Sequence, residues 1–157
     1  MENPLRAENK NSDIERLIGK AAVWAEEQSN FILENGTALS NPEIELAKKV
    51  GVEHPELVRI LEVDTIPAPT DSELKKIAET TGLFNPNLAG ITFYYGIYIK
   101  KGEKSNRLVS HELRHVYQYE KAGSIKEFLK EYVQQLLSVG YENAPLELDA
   151  RNSETAI

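Results

Sequence analysis

The run from Ile91 to Ile99 is the sequence feature that most limits the fold, because it is rich in strand formers in a chain of otherwise helical patterns. β-Branched and aromatic residues dominate the stretch ITFYYGIYI, as is typical of a strand. Gly96 lies inside it and indicates either a bulge or the turn of a tight hairpin. A second, less regular strand is predicted over 58–66, where β-branched and polar residues mix.

Helical patterns occupy most of the remaining sequence. Capping boxes begin at Ser12 and Ser124, each with a glutamate three residues later, while Trp24 and Phe31 are interpreted as core residues of the first helix. Helices are predicted over 13–34, 42–50, 71–80, 107–121, 124–138 and from 145 onward, after a disordered start over 1–11. The order of helices, a small sheet and helices again favours an α+β fold over a doubly wound sheet. The length of 157 residues suits a single domain.

Composition excludes several classes of function. The net charge is −7 and no basic patch is visible, which argues against a nucleic-acid partner. The absence of cysteine excludes disulfides, thiol catalysis and zinc–thiolate sites. The sequence shows no apolar signal core and no stretch of the ~20 apolar residues that a membrane span needs. We therefore expect a cytoplasmic protein without a membrane partner, and the oligomeric state stays open.

The motif His111-Glu112-Leu113-Arg114-His115 carries the chemistry. On a helix, His111 and His115 project from one face, one turn apart, so that their ring nitrogens can bind one metal ion. Glu112 is offset by about 100° around the helix axis, beside the metal and not on it. In this spacing it can act as the general base toward a zinc-activated water. The sequence thus predicts a zinc site with Glu112 as the catalytic residue.

A third protein ligand has to come from elsewhere in the chain, because zinc sites use at least three. No histidine follows His115, so the candidates are a downstream carboxylate or the upstream His54. Glu147 is the preferred ligand, since the intervening helix lets the chain return over the metal. Asp149, Glu142 and His54 are the alternatives, and an acid in a first helical turn also has a purely structural explanation.

The region around this motif resembles a known family. The run LVSHELRHVYQY over 108–119 is similar to the H-E-x-x-H-x-x-Q helix of small bacterial gluzincin-like metallopeptidases. The resemblance extends to 128–132 and 140–150, and back to 89–92 and 97–99, but not into the first half of the chain. It implies a zincin-like domain, mostly helical, with a small antiparallel sheet or hairpin beside the active-site helix. Residues 12–88 would form a helical supporting half and 89–151 the strand, the zinc helix and the glutamate helix.

The resemblance also assigns residues. It implies His111, His115 and Glu147 as zinc ligands and Glu112 as the base. Gln118 either acts in the site, by orienting a ligand or touching substrate, or packs against the next helix. In larger gluzincins an acid four residues after the ligand glutamate supports a histidine, and this sequence has arginine there. The supporting contacts must therefore be built differently or be missing, which can cost 10–100-fold in affinity or activity.

The function predicted from the sequence is zinc-dependent hydrolysis of peptide bonds in a peptide or protein substrate. The alternative is a zinc-stabilised binding module, or an effector domain, derived from a peptidase and no longer catalytic. An oxyanion stabiliser is also needed, and the sequence does not choose among its candidates. These are Tyr94, Tyr95, Tyr98, Tyr141, His54 and Arg151.

Overall fold

The β-rich run folds into a hairpin. The computed structural model describes the backbone of residues 4–155 and the side chains of residues 12–155. In it, strands β3 (Gly90–Phe93) and β4 (Gly96–Lys100) are antiparallel. Tyr94 and Tyr95 form the turn, with Tyr94 at a φ of 58°. Gly96 is the first residue of β4, where a Cβ would lie 3.0 Å from Cβ of Ile32. A glycine is needed here because a helix approaches the strand closely.

The other elements follow the predicted order. They are helix α1 (Pro4–Asn35), strand β1 (Thr37–Ala38), helix α2 (Asn41–Lys49), a 3₁₀ turn (Pro55–Leu57), strand β2 (Arg59–Val63) and helices α3 (Ser72–Thr81), α4 (Asn106–Ala122), α5 (Ile125–Val139) and α6 (Pro145–Asn152). The α+β fold class is thus confirmed.

The antiparallel hairpin β3–β4 lies beside α4 as predicted, and the sheet to which it belongs is mixed. Its strand order is β1-β2-β4-β3, and β2 pairs with β4 in parallel, from Arg59 opposite Gly96 to Val63 opposite Lys100. A parallel pair needs a long crossover, and the segment that contains α3 and the first hairpin strand provides it. The local pattern of 58–66 predicted the strand but carried no information about its direction relative to its neighbour.

Strand β4 lies at the centre of the molecule and is buried on both faces. Tyr98 belongs to a core formed with α1 and α5, whereas Ile97 and Ile99 belong to a core formed with α2 and α4. Successive strand residues point to opposite faces, so the sheet separates α1 from α2 and from much of α4. The first half of the chain thereby supports the helix that carries the histidines.

The cap predicted at Ser124 is present, whereas Ser12 lies inside the first helix. Ser105 and Ser124 cap α4 and α5 through their side chains, and Gly123 ends α4 in the left-handed conformation. Helix α1 already begins at Pro4 and runs through Ser12, so the expectation of disorder before Ser12 is wrong for residues 4–11, and residues 1–3 lie outside the described part. Once a helix has formed, good helix formers extend it at little cost, and the stretch from 6 to 10 contains arginine, alanine, glutamate and lysine.

One predicted core residue of α1 lies at the surface. Phe31 is 51% exposed, because it is adjacent to the fully buried Ile32 and so points away from the sheet. Trp24 packs against the core as predicted, with an edge-to-face contact to Phe93 at 5.2 Å between ring centroids. None of the helices in the described part of the chain combines the length and the apolar character needed to cross a bilayer.

Candidate metal centre

Helix α4 holds His111 and His115 on its buried face. The two rings lie one turn apart with their centroids 5.0 Å from each other, and both side chains are almost inaccessible to solvent. The helix is fixed by Val109, Leu113 and Val116, which pack in the core on the far side of the sheet from α1. The four-residue spacing of the histidines therefore places both rings on one face of the helix, as predicted.

Glu147 completes the group from the first turn of α6. Its Oε1 lies 3.1 Å from Nε2 of His111, and its Oε2 lies 2.9 Å from Nε2 of His115. The ligand atoms of these three residues all lie within 4.8 Å of one another. The three residues, called the His–His–Glu trio below, can hold a metal ion.

The alternative third ligands have other partners. Asp149 accepts hydrogen bonds from Arg114 and Gln118. His54 is exposed and pairs with Glu56 at 3.1 Å. Glu142 lies at the surface, 3.5 Å from the guanidinium of Arg151. Among the predicted candidates, the structure brings only Glu147 to the two histidines.

Electrostatics bind the trio together in the absence of a metal. Burial alone would lower the pKa of His115, but the Glu147 carboxylate outweighs that effect and raises it to about 9. The pKa of His111 is also raised, again against the effect of burial. Burial would raise the pKa of Glu147, and the two histidines instead hold it well below its usual range. Without metal the trio is a charged network in which protons take the place of a cation.

His111 has a carboxylate partner on its other nitrogen. Its Nδ1 lies 2.8 Å from Oε2 of Glu154, which follows the end of α6 and also accepts a hydrogen bond from Arg107. An ionised carboxylate only accepts, so Nδ1 carries the proton and Nε2 faces Glu147. This contact fixes the tautomer that a metal ligand needs.

His115 is oriented by an amide in the same way. Its Nδ1 lies 2.7 Å from Oε1 of Gln118. The amide nitrogen of Gln118 donates to the carbonyl of Leu146 and to Asp149, at 2.9 Å each. Since both of these groups only accept, the amide cannot be flipped and its oxygen must face the ring. Asp149 is held in turn by Arg114, which also donates to the carbonyl of Val50.

The supporting contacts are thus built differently from the gluzincin pattern. Arg151, at the position where an acid was expected, donates to the carbonyl of Glu142. Glu154 and Gln118 support the histidines instead. Sequence reasoning named Gln118 with two alternative roles, and the structure shows it against His115. It missed Glu154, because no helical spacing marks a residue beyond the end of a helix.

Glu112 lies beside the trio, fully buried, with its Oε2 3.9 Å from Nε2 of His111. The Thr92 hydroxyl donates to its Oε1 at 2.9 Å, and a Cβ on Gly90 would lie 3.2 Å from its Cγ and Cδ. Burial raises the pKa of Glu112, although the neighbouring histidines oppose this shift. A carboxylate with a raised pKa binds a proton more readily than an exposed one, which suits a group that exchanges protons.

Two tyrosines approach the trio. Tyr132 of α5 donates to Oε2 of Glu147 at 2.9 Å, and the sequence gave no sign of it beyond its place in an apolar helical stripe. Tyr141 lines a cavity together with Glu112 and Glu147. Burial raises the pKa of Tyr141, so its hydroxyl stays protonated and can donate a hydrogen bond. The hydroxyls of Tyr95 and Tyr98 instead bond to Glu120 and Gln28.

Two cavities meet beside Glu112. The first, called the apolar cavity, is lined almost entirely by apolar side chains and reaches His115 and Glu147. The second, called the polar groove, runs past His111 and includes residues such as Asn85, Arg107, Glu142, Arg151 and Glu154. Glu112 and Tyr141 line both. The buried trio is therefore bordered by cavities of two different chemical characters.

Comparison of the chain with protein-family models, with curated proteins and with solved structures finds no match.

Proposed function

We propose that the protein is a zinc-dependent peptidase in which Glu112 is the general base. The observation that carries the proposal is the placement of Glu112. It lies next to the trio, pairs with Thr92, and makes no hydrogen bond to a residue of the trio. A site built only to hold a metal would have no use for a second buried carboxylate, because burial of an acid without a strong partner costs stability.

The donor set fits zinc. Two imidazole nitrogens and one carboxylate are a known set of protein ligands for catalytic zinc, and they leave a fourth position for water or substrate. Both histidines present Nε2 to the same point while Nδ1 is occupied by an acceptor. These features support zinc over magnesium or calcium, which prefer oxygen ligands.

Each residue then has a defined task. A bound zinc ion would lower the pKa of water and polarise a carbonyl group. Glu112 would accept a proton from the attacking water and deliver it to the leaving amine, with Thr92 holding its Oε1. Tyr141 is the best placed donor for a developing oxyanion, since it lines the cavity beside Glu112 and keeps its proton.

Strand β3 would hold the substrate in an extended form. It lies at one edge of the sheet and is paired only with β4 among the described residues 4–155. In the antiparallel register that places Phe93 opposite Gly96, the backbone groups of Gly90 and Thr92 face away from β4. Tyr119 already donates to the carbonyl of Thr92, which leaves the backbone of Gly90, next to Glu112, to pair with a peptide.

The test separates metal binding from catalysis. Metal content of the purified protein is measured by mass spectrometry, and a peptide library is digested with wild type, Glu112→Gln and Glu131→Gln as an exposed control. We expect about one zinc per chain in all three, and cleavage by wild type and the control only. Loss of zinc in His115→Ala and Glu147→Ala would support the ligand assignment. Equal cleavage by wild type and Glu112→Gln would contradict the proposed role of the base.

A zinc-stabilised binding module is the second candidate. The trio joins α4 to α6 in the interior of the molecule, so a metal there would also link two helices and stabilise the fold. This candidate predicts bound zinc, a fall in melting temperature with chelator, and no cleavage of any peptide in the library.

A further inference from the structure

We propose that the apolar cavity binds one large apolar side chain of the substrate, next to the bond that is cleaved. The proposal rests on the proposed function and adds a preference for aromatic or branched aliphatic residues. It also gives the first half of the chain a task, because residues of that half line the cavity. The motif of α4 alone does not explain why that half is present.

The cavity is formed by elements from both halves of the chain. Trp24 of α1 and Ile77 of α3 line one side, Val133 and Leu136 of α5 line another, and Phe84 and Leu88 come from the segment before β3. Glu112, His115 and Glu147 also line it. A group that enters the cavity therefore ends directly beside the trio.

Several lining residues keep part of their apolar surface exposed. Trp24, Ile77, Phe84 and Leu88 are only half-buried, although Trp24, Phe84 and Leu88 pack against the core. Trp24 meets Phe84 edge to face, at 6.1 Å between ring centroids. An apolar ligand would remove this surface from water, which favours its binding, whereas a charged side chain would lose its hydration without finding a partner.

The polar groove would hold the polar parts of the same substrate. It meets the apolar cavity at Glu112 and Tyr141, and its amide, carboxylate and guanidinium groups suit backbone and polar side chains. A peptide that crosses this junction would place its apolar side chain in the cavity and the adjoining residues in the groove.

The chain contains one tryptophan, and it lines the cavity, so its fluorescence reports occupancy. The probes are acetohydroxamate and the hydroxamate of 3-phenylpropanoic acid, with the amide of the same acid as a probe that does not chelate metal. Each buried methylene is worth about fourfold in affinity. We expect the phenyl hydroxamate to bind zinc-loaded protein at least ~10-fold more tightly than acetohydroxamate and to change the emission of Trp24.

A pair of variants on α1 tests the position of the cavity. Ala21→Phe places a ring on the cavity wall, whereas Val23→Phe places the same ring on a residue that is 59% exposed and does not line it. We expect the tenfold preference to fall below ~2-fold in Ala21→Phe and to persist in Val23→Phe, with zinc content unchanged in both. If Ala21→Phe does not fold, the affinities of the two hydroxamates for the wild-type protein alone decide whether the cavity binds an apolar group.

The outcomes distinguish this inference from the proposed function. Equal affinity for the two hydroxamates in zinc-loaded protein would overturn the apolar cavity as a binding site and leave the metal centre intact. Binding of the phenyl amide with a change in Trp24 emission, but no gain from zinc with either hydroxamate, would support the cavity and contradict the metal centre.

Discussion

Glu154→Gln tests whether the contact on the far side of His111 supports metal binding. The substitution keeps the size of the side chain and removes its charge. In the native protein Oε2 of Glu154 lies 2.8 Å from Nδ1 of His111, and both side chains are largely buried. The carboxylate also pairs with Arg107, whose side chain is 74% exposed. An exposed pair of that kind contributes little, so the effect should arise from His111.

The expected magnitude follows from the type of hydrogen bond. A bond to a charged partner contributes about 1.5–3 kcal/mol, and a neutral one about 0.5–1.5 kcal/mol. Glutamine can still accept from Nδ1, so the loss should be about 1–1.5 kcal/mol, or five- to tenfold in zinc affinity. This is at or just below the lower limit of the 10–100-fold cost seen when such supporting groups are removed, because glutamine still accepts the hydrogen bond.

The assay is competition for zinc with a chromogenic chelator at neutral pH. Glu142→Gln is the matched control, because it makes the same chemical change on a side chain that is 81% exposed and that, within residues 12–155, pairs only with Arg151. We expect the control to bind zinc as wild type does. An affinity of Glu154→Gln within twofold of wild type, or an equal loss in the control, would refute the argument that this carboxylate supports the ligand.

Three further predictions concern the same centre. Gly90→Ala should reduce hydrolysis roughly tenfold at unchanged zinc content, because the new Cβ displaces Glu112. Gly19→Ala is the control, since its new Cβ meets nothing within 4 Å and the rate should not change. Equal rates of hydrolysis by the two variants would contradict this prediction. Tyr132→Phe should lower the free energy of unfolding of the metal-free protein by roughly 1.5–3 kcal/mol, because it removes a buried hydrogen bond to a carboxylate, and unchanged urea denaturation would disprove it. The raised pKa of His115, about 9 without metal, means that zinc displaces a proton at neutral pH. Apparent zinc affinity should therefore rise with pH up to about 9, and calorimetry should show heats that depend on the buffer; heats independent of the buffer would contradict displacement.

Local patterns predicted the parts of the site that lie on one helix. The spacing of His111 and His115 is a property of neighbouring residues, and the structure reproduces it. The resemblance and the chain's return over the metal also pointed to Glu147, which the structure places against both histidines.

Other parts depend on contacts between distant segments, which a single sequence does not reveal. Thr92 reaches Glu112 from the edge strand, Tyr132 reaches Glu147 from the preceding helix, and Glu154 reaches His111 from beyond the last helix. The parallel pairing of β2 with β4 escaped prediction for the same reason, since residues 37 or more positions apart set it.

The dependence of His111 on Glu147 and Glu154 also sets the order in which the centre can form during synthesis. The ribosome completes the histidine helix before either carboxylate exists, and a domain generally folds as a unit. Until residue 154 is free, His111 lacks both Glu147 and the group that fixes its tautomer. Metal loading would then wait for the last helix and the segment that follows it, and the nascent chain would have little affinity for zinc in the meantime.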